Sequence, residues 1–124
     1  MEITLIVRDH FEAAHFIPKH KKCGKMHGHS YKVEVEFIGK IPYAKTMLTD
    51  FAYLKRILAK VLSRLDHKTL NDELAVPTTA EFIARWIYMQ IREKFEREGT
   101  KKMQILSVTV WETDKYGARY EGEE

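Results

Sequence analysis

Cysteine, amide side chains and long apolar runs are all scarce in this chain of 124 residues. The one cysteine, Cys23, has no partner within the chain, and a lone thiol suits a reducing compartment. No run approaches the roughly 18 apolar residues of a membrane span. The charged stretch from Met1 to His10 lacks a signal-peptide pattern, so a cytoplasmic protein with no membrane partner is expected. A strong excess of either charge is also missing: 21 basic and 18 acidic residues leave a formal charge of +3. That balance is unlike a dedicated nucleic-acid binder. Asn71, Gln90 and Gln104 are the only side-chain amides, and so few thermolabile groups among so many charges is a tendency of heat-adapted proteins. The length fits a single domain over 1–124 that needs no disulfide to bury a core.

What is present is strongly periodic. Ile3, Leu5, Val7 and Phe11 alternate with Thr4, Arg8 and His10, and the same parity reaches Ala13 and His15. Pro18 and the run Lys19, Lys21, Lys22, Lys25 mark an exposed loop. A second alternation sets His29, Tyr31, Val33, Val35 and Phe37 against Lys32, Glu34 and Glu36, ending near Gly39 and Pro42. Phe51, Leu54, Ile57, Leu58, Val61, Leu62 and Leu65 recur at helical spacing behind Asp50, a good N-cap. A second helix carries Phe82, Ile83, Trp86, Ile87, Ile91 and Phe95, with a capping-box spacing at Thr78 and Glu81 and a stop at Gly99. A third strand runs near Lys102–Thr113, with Leu106, Val108, Val110 and Glu112 in one register. A short fourth strand is expected around Ala118–Tyr120, before an acidic tail. The order ββααββ predicts an α+β fold: a four-stranded antiparallel sheet with both helices on one face.

Chemistry concentrates near the first two strands. Side chains alternate in a strand, so His27 and His29 point to one side, and His15 from the neighbouring strand can complete a three-nitrogen face. Imidazoles suit zinc, though copper or nickel also fits an all-nitrogen set. Three protein ligands leave a fourth position open, the arrangement of catalytic zinc. Cys23 lies in the lysine-rich loop just before His27, where positive charge and a metal favour thiolate over thiol. That loop is either a solvated segment or an electrostatic guide for a polyanionic substrate. Asp66-His67 at a helix exit reads as a capping pair or as a general acid/base. Glu112 on an apolar strand face is either back in solvent at the strand end or an anchor for a heterocycle with adjacent N–H groups.

Six segments together resemble the 6-pyruvoyltetrahydropterin synthase/6-carboxytetrahydropterin synthase family. They are Phe11-Glu12-Ala13-Ala14-His15, Cys23-Gly24-Lys25-Met26-His27-Gly28-His29, Thr49-Asp50-Phe51, Leu65-Asp66-His67, Pro77-Thr78-Thr79-Ala80-Glu81 and Trp111-Glu112-Thr113. They come in the family's order and span almost the whole chain. The resemblance implies the tunnelling fold, in which the sheets of several subunits join into a barrel, typically in a hexamer built as two stacked trimers. It implies zinc on His15, His27 and His29, Cys23 as general base, and Asp66 and His67 as a relay pair from a neighbouring subunit. Glu112 would anchor the pterin ring, and Thr78 and Thr79 would line its pocket. The implied substrate is 7,8-dihydroneopterin triphosphate. The three-residue spacer between Cys23 and His27 resembles the carboxy branch, which releases acetaldehyde and feeds 7-deazaguanine (queuosine-type) tRNA modification. The pyruvoyl branch keeps all three side-chain carbons and typically has a longer spacer.

Two other classes compete. A zinc-dependent hydrolase acting on a purine or pterin through metal-bound water would not need Cys23. A non-enzymatic module binding RNA through the basic loop would have no use for the histidines, and its affinity would fall steeply with salt. The scarcity of amides makes a separate prediction: thermal unfolding followed by circular dichroism should show a midpoint above the roughly 45–65 °C range of mesophile domains. A midpoint near about 50 °C would remove heat adaptation as the reason.

Overall fold

A computed structural model describes residues 1–123; the last residue of the expected acidic tail, Glu124, lies outside them. Strands β1 (Glu2–His15) and β2 (His27–Lys40) form a long antiparallel hairpin in unbroken register from Glu2↔Lys40 to His15↔His27. Helix α1 (Phe51–Leu62) follows, then a two-residue strand β3 (Lys68–Thr69) and a single-turn helix α2 (Leu70–Glu73). Helix α3 (Ala80–Glu98), strand β4 (Met103–Trp111) and strand β5 (Gly117–Tyr120) complete the chain. The sheet order is β3-β1-β2-β4-β5, with every pairing antiparallel except β3 against β1.

The alternation in β1 and β2 does what its parity requires. Phe11, Ala13 and His15 face inward with Tyr31, Val33, Val35 and Phe37, against Leu54, Leu58 and Val61 of α1 and Ile83, Ile87 and Ile91 of α3. The opposite face carries Arg8, His10, Lys32 and Glu34. Asp50 caps α1 as its position suggests, its carboxylate accepting from the Ala52 N–H at 2.8 Å. Gly99 ends α3 in the left-handed region at φ 65°, open to glycine without steric cost. Among the described residues no helix is long and apolar enough to cross a membrane.

Several expectations are corrected. Among the described residues the sheet has five strands and there are three helices, because β3 and α2 are too short to leave a periodic trace. Leu65 is buried but lies in the turn after α1. Phe51 and Phe82, at 60% and 42% exposure, sit in the opening turns of their helices, at the rim of the core. Leu106 does not share a face with Val108 and Val110. Glu36 pairs with Ser107 and Phe37 with Ile105, so Leu106 is the extra residue of a β-bulge and turns outward. Thr78 does not cap α3; Thr79 holds that position and makes no side-chain capping bond.

Leu58 and Asp50 separate the two kinds of stabilisation. Leu58→Ala should cost about 2–5 kcal/mol through the cavity it leaves, and Asp50→Ala about 1 kcal/mol through the lost cap. Urea denaturation of both variants should return that ranking.

Candidate metal centre

The register of the β1–β2 hairpin builds the site. His15 and His27 are directly opposed, and His29 stands opposite Ala13, so all three imidazoles share the inward face at the loop end of the hairpin. Their ring centroids lie 4.5–5.3 Å apart. Strand β4 brings Glu112 to the same point, one residue past its end. The ligand atoms of His15, His27, His29 and Glu112 all lie within 4.8 Å of one another. Glu112 has therefore not returned to open solvent: Oε1 is 3.1 Å from His29 Nε2 and 3.4 Å from His15 Nε2.

The backbone fixes which nitrogen is available. A carbonyl can only accept, so the contact of His15 Nδ1 with the Thr78 carbonyl at 2.8 Å places the proton on Nδ1. His27 Nδ1 meets the Lys25 carbonyl at 2.7 Å in the same sense. With Nδ1 protonated, a neutral imidazole presents a bare lone pair at Nε2, the form a metal needs. His15 Nε2 and His29 Nε2 are buried and have no hydrogen-bond partner among the described residues. Burial lowers the pKa of both rings, the Thr78 bond opposing it at His15 and the Glu112 charge opposing it at His29. Buried nitrogens that hold lone pairs, face one another and lack partners fit a borderline-soft divalent cation such as zinc.

The remaining candidates lie around this cluster and outside it. Cys23 is half-buried in the loop of residues 16–26, which connects His15 to His27. Its N–H donates to His20 Nδ1 at 2.9 Å and its carbonyl accepts from the Ile17 N–H at 2.7 Å. Gly24 lets that turn close, since a β-carbon there would collide with the His20 carbonyl. Thr78 is buried, its hydroxyl donating to the Phe16 carbonyl, and Thr79 is half-buried at the head of α3. Asp66 and His67 hold the edge of the sheet. Asp66 Oδ1 accepts from the Glu12 N–H and the His67 N–H donates to the Glu12 carbonyl. The Glu12 bond, and then His67, hold the Asp66 carboxyl below the usual carboxylate range. A recess of about 510 Å³ is lined by His67 and His29 together with Glu12, Gly28 and Ser30. The parity of those last three sets them on the face opposite the imidazoles.

Three contributors escape the motif reading. The carbonyl of Thr78 positions His15 through its backbone, which leaves no mark in residue type. Asn71 clamps both the N–H and the carbonyl of Phe16 at 3.0 and 2.9 Å, and its being the chain's single asparagine was the available signal. Tyr31 stacks on Phe11 at 4.7 Å and meets the edges of His15 and His29, its hydroxyl buried without a partner. Burial, and then the nearby Glu112 charge, push the Tyr31 phenol above its ordinary range, keeping it neutral.

Comparison with known proteins gives a consistent picture. The family profile described as 6-pyruvoyl tetrahydropterin synthase matches residues 4–123. The 6-carboxy-5,6,7,8-tetrahydropterin synthase of Synechocystis sp. is 39% identical over 117 residues, covering 89% of this chain and 86% of that one. The dihydroneopterin monophosphate aldolase of Pyrococcus furiosus is 36% identical over 98% of this chain and 99% of its own. The structure of Caenorhabditis elegans 6-pyruvoyl tetrahydropterin synthase superposes with a TM-score of 0.85 at 25% identity, over 99% of this chain and 97% of that one.

The depressed histidine pKa values set a pH dependence for metal-free protein. A group whose folded pKa lies below its unfolded value leaves stability intact above the unfolded pKa and erodes it as pH falls toward the folded one. The urea midpoint of metal-free protein should therefore be flat above pH 6.5, the unperturbed histidine value, and fall below it. His29→Gln, which cannot gain a proton, should show a shallower fall in the same titration.

Proposed function

The chain belongs to the 6-pyruvoyl tetrahydropterin synthase family, and from that premise we propose that it is a zinc-dependent lyase of the 6-carboxytetrahydropterin type. The proposed reaction takes 7,8-dihydroneopterin triphosphate and water to 6-carboxy-5,6,7,8-tetrahydropterin, acetaldehyde and triphosphate, a step toward 7-deazaguanine-modified tRNA. The observation that carries the reading is the convergence of three imidazoles, two with buried Nε2 atoms lacking a hydrogen-bond partner, next to a carboxylate. The three-residue spacer between Cys23 and His27, and relatives named for the carboxy product, favour that branch.

His15, His27 and His29 hold the metal. Zinc, when bound, acts as a Lewis acid on the substrate's side-chain oxygens and makes the neighbouring C–H protons more acidic. Cys23, in the loop that runs from His15 to His27, is the base that removes such a proton. The Glu112 carboxylate accepts bonds from adjacent ring N–H groups and sets which part of the substrate reaches Cys23. Thr78 and Thr79 wall the ring pocket. Asp66, held ionised by the Glu12 N–H, orients His67 as a proton carrier. Because the His67 backbone is tied to Glu12 at the β3 edge of the sheet, its role is assigned to the copy on a neighbouring subunit. The sheet is open, with β3 and β5 at its edges, and joining edges between copies would give a barrel and a homohexamer of two trimers. Each subunit would be one tunnelling-fold domain over the whole chain, working in the cytoplasm on a small molecule.

A second reading has a specific observation behind it: the aldolase relative matches over nearly the full length of both chains. A retro-aldol cleavage needs the same equipment, a base for a side-chain hydroxyl and a held ring, with the phosphate leaving on the smaller fragment.

One reaction separates these. Zinc-loaded protein with dihydroneopterin triphosphate should give a carboxytetrahydropterin and acetaldehyde by mass spectrometry, and Cys23→Ala should keep zinc while losing turnover. A pyruvoyl product would move the chain to the other branch. Turnover of the monophosphate alone would establish the aldolase, and activity undiminished in Cys23→Ala would point to a metal-bound-water hydrolase.

A further inference from the structure

We infer that Glu112 closes the fourth ligand position of the metal centre in the absence of substrate and leaves it when the pterin ring binds. The inference rests on the metal-lyase reading and adds a coupling between ring recognition and exposure of the metal. Its basis is the placement of the carboxylate. Glu112 Oε1 is 3.1 Å from His29 Nε2 and 3.4 Å from His15 Nε2, yet neither nitrogen has a hydrogen-bond partner. At His15 the reason is plain: the ring proton is on Nδ1, donated to Thr78, so Nε2 and the carboxylate oxygen confront each other as two lone-pair donors. Such a pair repels unless a cation lies between them. Ligands of a tetrahedral zinc with bonds of about 2.0–2.1 Å are about 3.3–3.4 Å apart. The His15 separation of 3.4 Å matches that edge and the His29 separation of 3.1 Å falls just short of it, whereas an anchor reserved for the ring alone has no reason to sit so near ligand spacing from two imidazoles.

A metal closed by three imidazoles and a carboxylate has no position for a substrate oxygen. The ring offers the carboxylate a different partner, since adjacent N–H groups bind both of its oxygens at once. Glu112 has room to turn. Its backbone N–H is held by the Tyr116 carbonyl at 3.0 Å, while its side chain also borders a recess of about 320 Å³ with Ala80, Glu81 and Tyr116. The metal is thereby opened by the ring that is to be processed, and other oxygen ligands meet a closed site.

Binding linkage is reciprocal, so whatever loosens Glu112 from the metal when the ring binds must weaken ring binding when metal is loaded. The experiment uses the fully assembled protein and a dihydropterin lacking the C6 side chain, which cannot itself reach the metal. Cobalt(II) in place of zinc reports ligand number through its visible absorption. The ring should change the cobalt bands of the unmodified protein, and Glu112→Ala should show altered bands with no ring present. Glu112→Gln, which keeps the shape, should do the same in the weaker sense of a neutral ligand. The side-chain-free ring should also bind metal-free protein at least about fivefold more tightly than zinc-loaded protein, the lower end of typical coupling between sites. Identical cobalt bands in Glu112→Ala and the unmodified protein, or equal ring affinities with and without zinc, would overturn the inference while leaving the lyase reading intact. Protein that takes up neither cobalt nor zinc would overturn both.

Discussion

An imidazole nitrogen withdrawn from water with nothing to bond to is costly, on the order of 1–3 kcal/mol for an unsatisfied buried polar group. This chain accepts that cost at the closed end of its core. His15 is fully buried, and its exposed-equivalent nitrogen faces other acceptors rather than a donor. The surrounding architecture can be read as what holds it there. The hairpin register sets His27 opposite it, the Thr78 carbonyl dictates its tautomer, and Asn71 and the Thr78 hydroxyl pin Phe16 immediately after it. A cluster with unpartnered buried nitrogens must be rigid, because any slack would let the rings turn to water. The core supplies that rigidity, with Tyr31 filling the space beneath two of the rings.

Much of this was legible in the residues. Strand parity alone placed His15, His27 and His29 on one face, since the period of two leaves no other option once Phe11 and Tyr31 are inside. Parity also put Glu112 in phase with Val108 and Val110, and the structure brings it to the histidines. The reading failed where the backbone rather than residue type decides. The bulge at Leu106 is invisible to an alternation count that happens to remain in phase after it. Thr78 looked like a helix cap because its spacing to Glu81 is right, but its hydroxyl and carbonyl both turn back to the end of β1. The two-residue strand β3 and the turn before it are too short for periodicity, so the sheet edge that holds Asp66 and His67 could not be foreseen.

The division of the sheet into two chemical faces gives the fold its working plan. One face is packed against α1 and α3, with His15 fully buried there and His27 and His29 half-buried beside it. The other carries paired charges, Arg8 with Glu34 and Lys32 with Asp114, on a surface that water can reach. The imidazole cluster and these solvated ion pairs therefore sit a single strand thickness apart. The loop of residues 16–26 runs directly from His15 to His27, so the chain itself tethers Cys23 to both strands of the hairpin.

His67 adopts a left-handed backbone conformation, φ 58°, in the turn that leads into β3. That conformation costs a side-chain-bearing residue roughly 1 kcal/mol or more, and glycine or asparagine would take it with far less penalty. The position thus records a conflict between two demands on one residue. Selection for folding alone would drift it toward glycine, and the turn would become easier to make but could no longer carry the proton that the proposed mechanism assigns to His67. Any attempt to harden this protein by relieving its backbone strain would find that turn an attractive target, and would trade an imidazole for a sturdier loop.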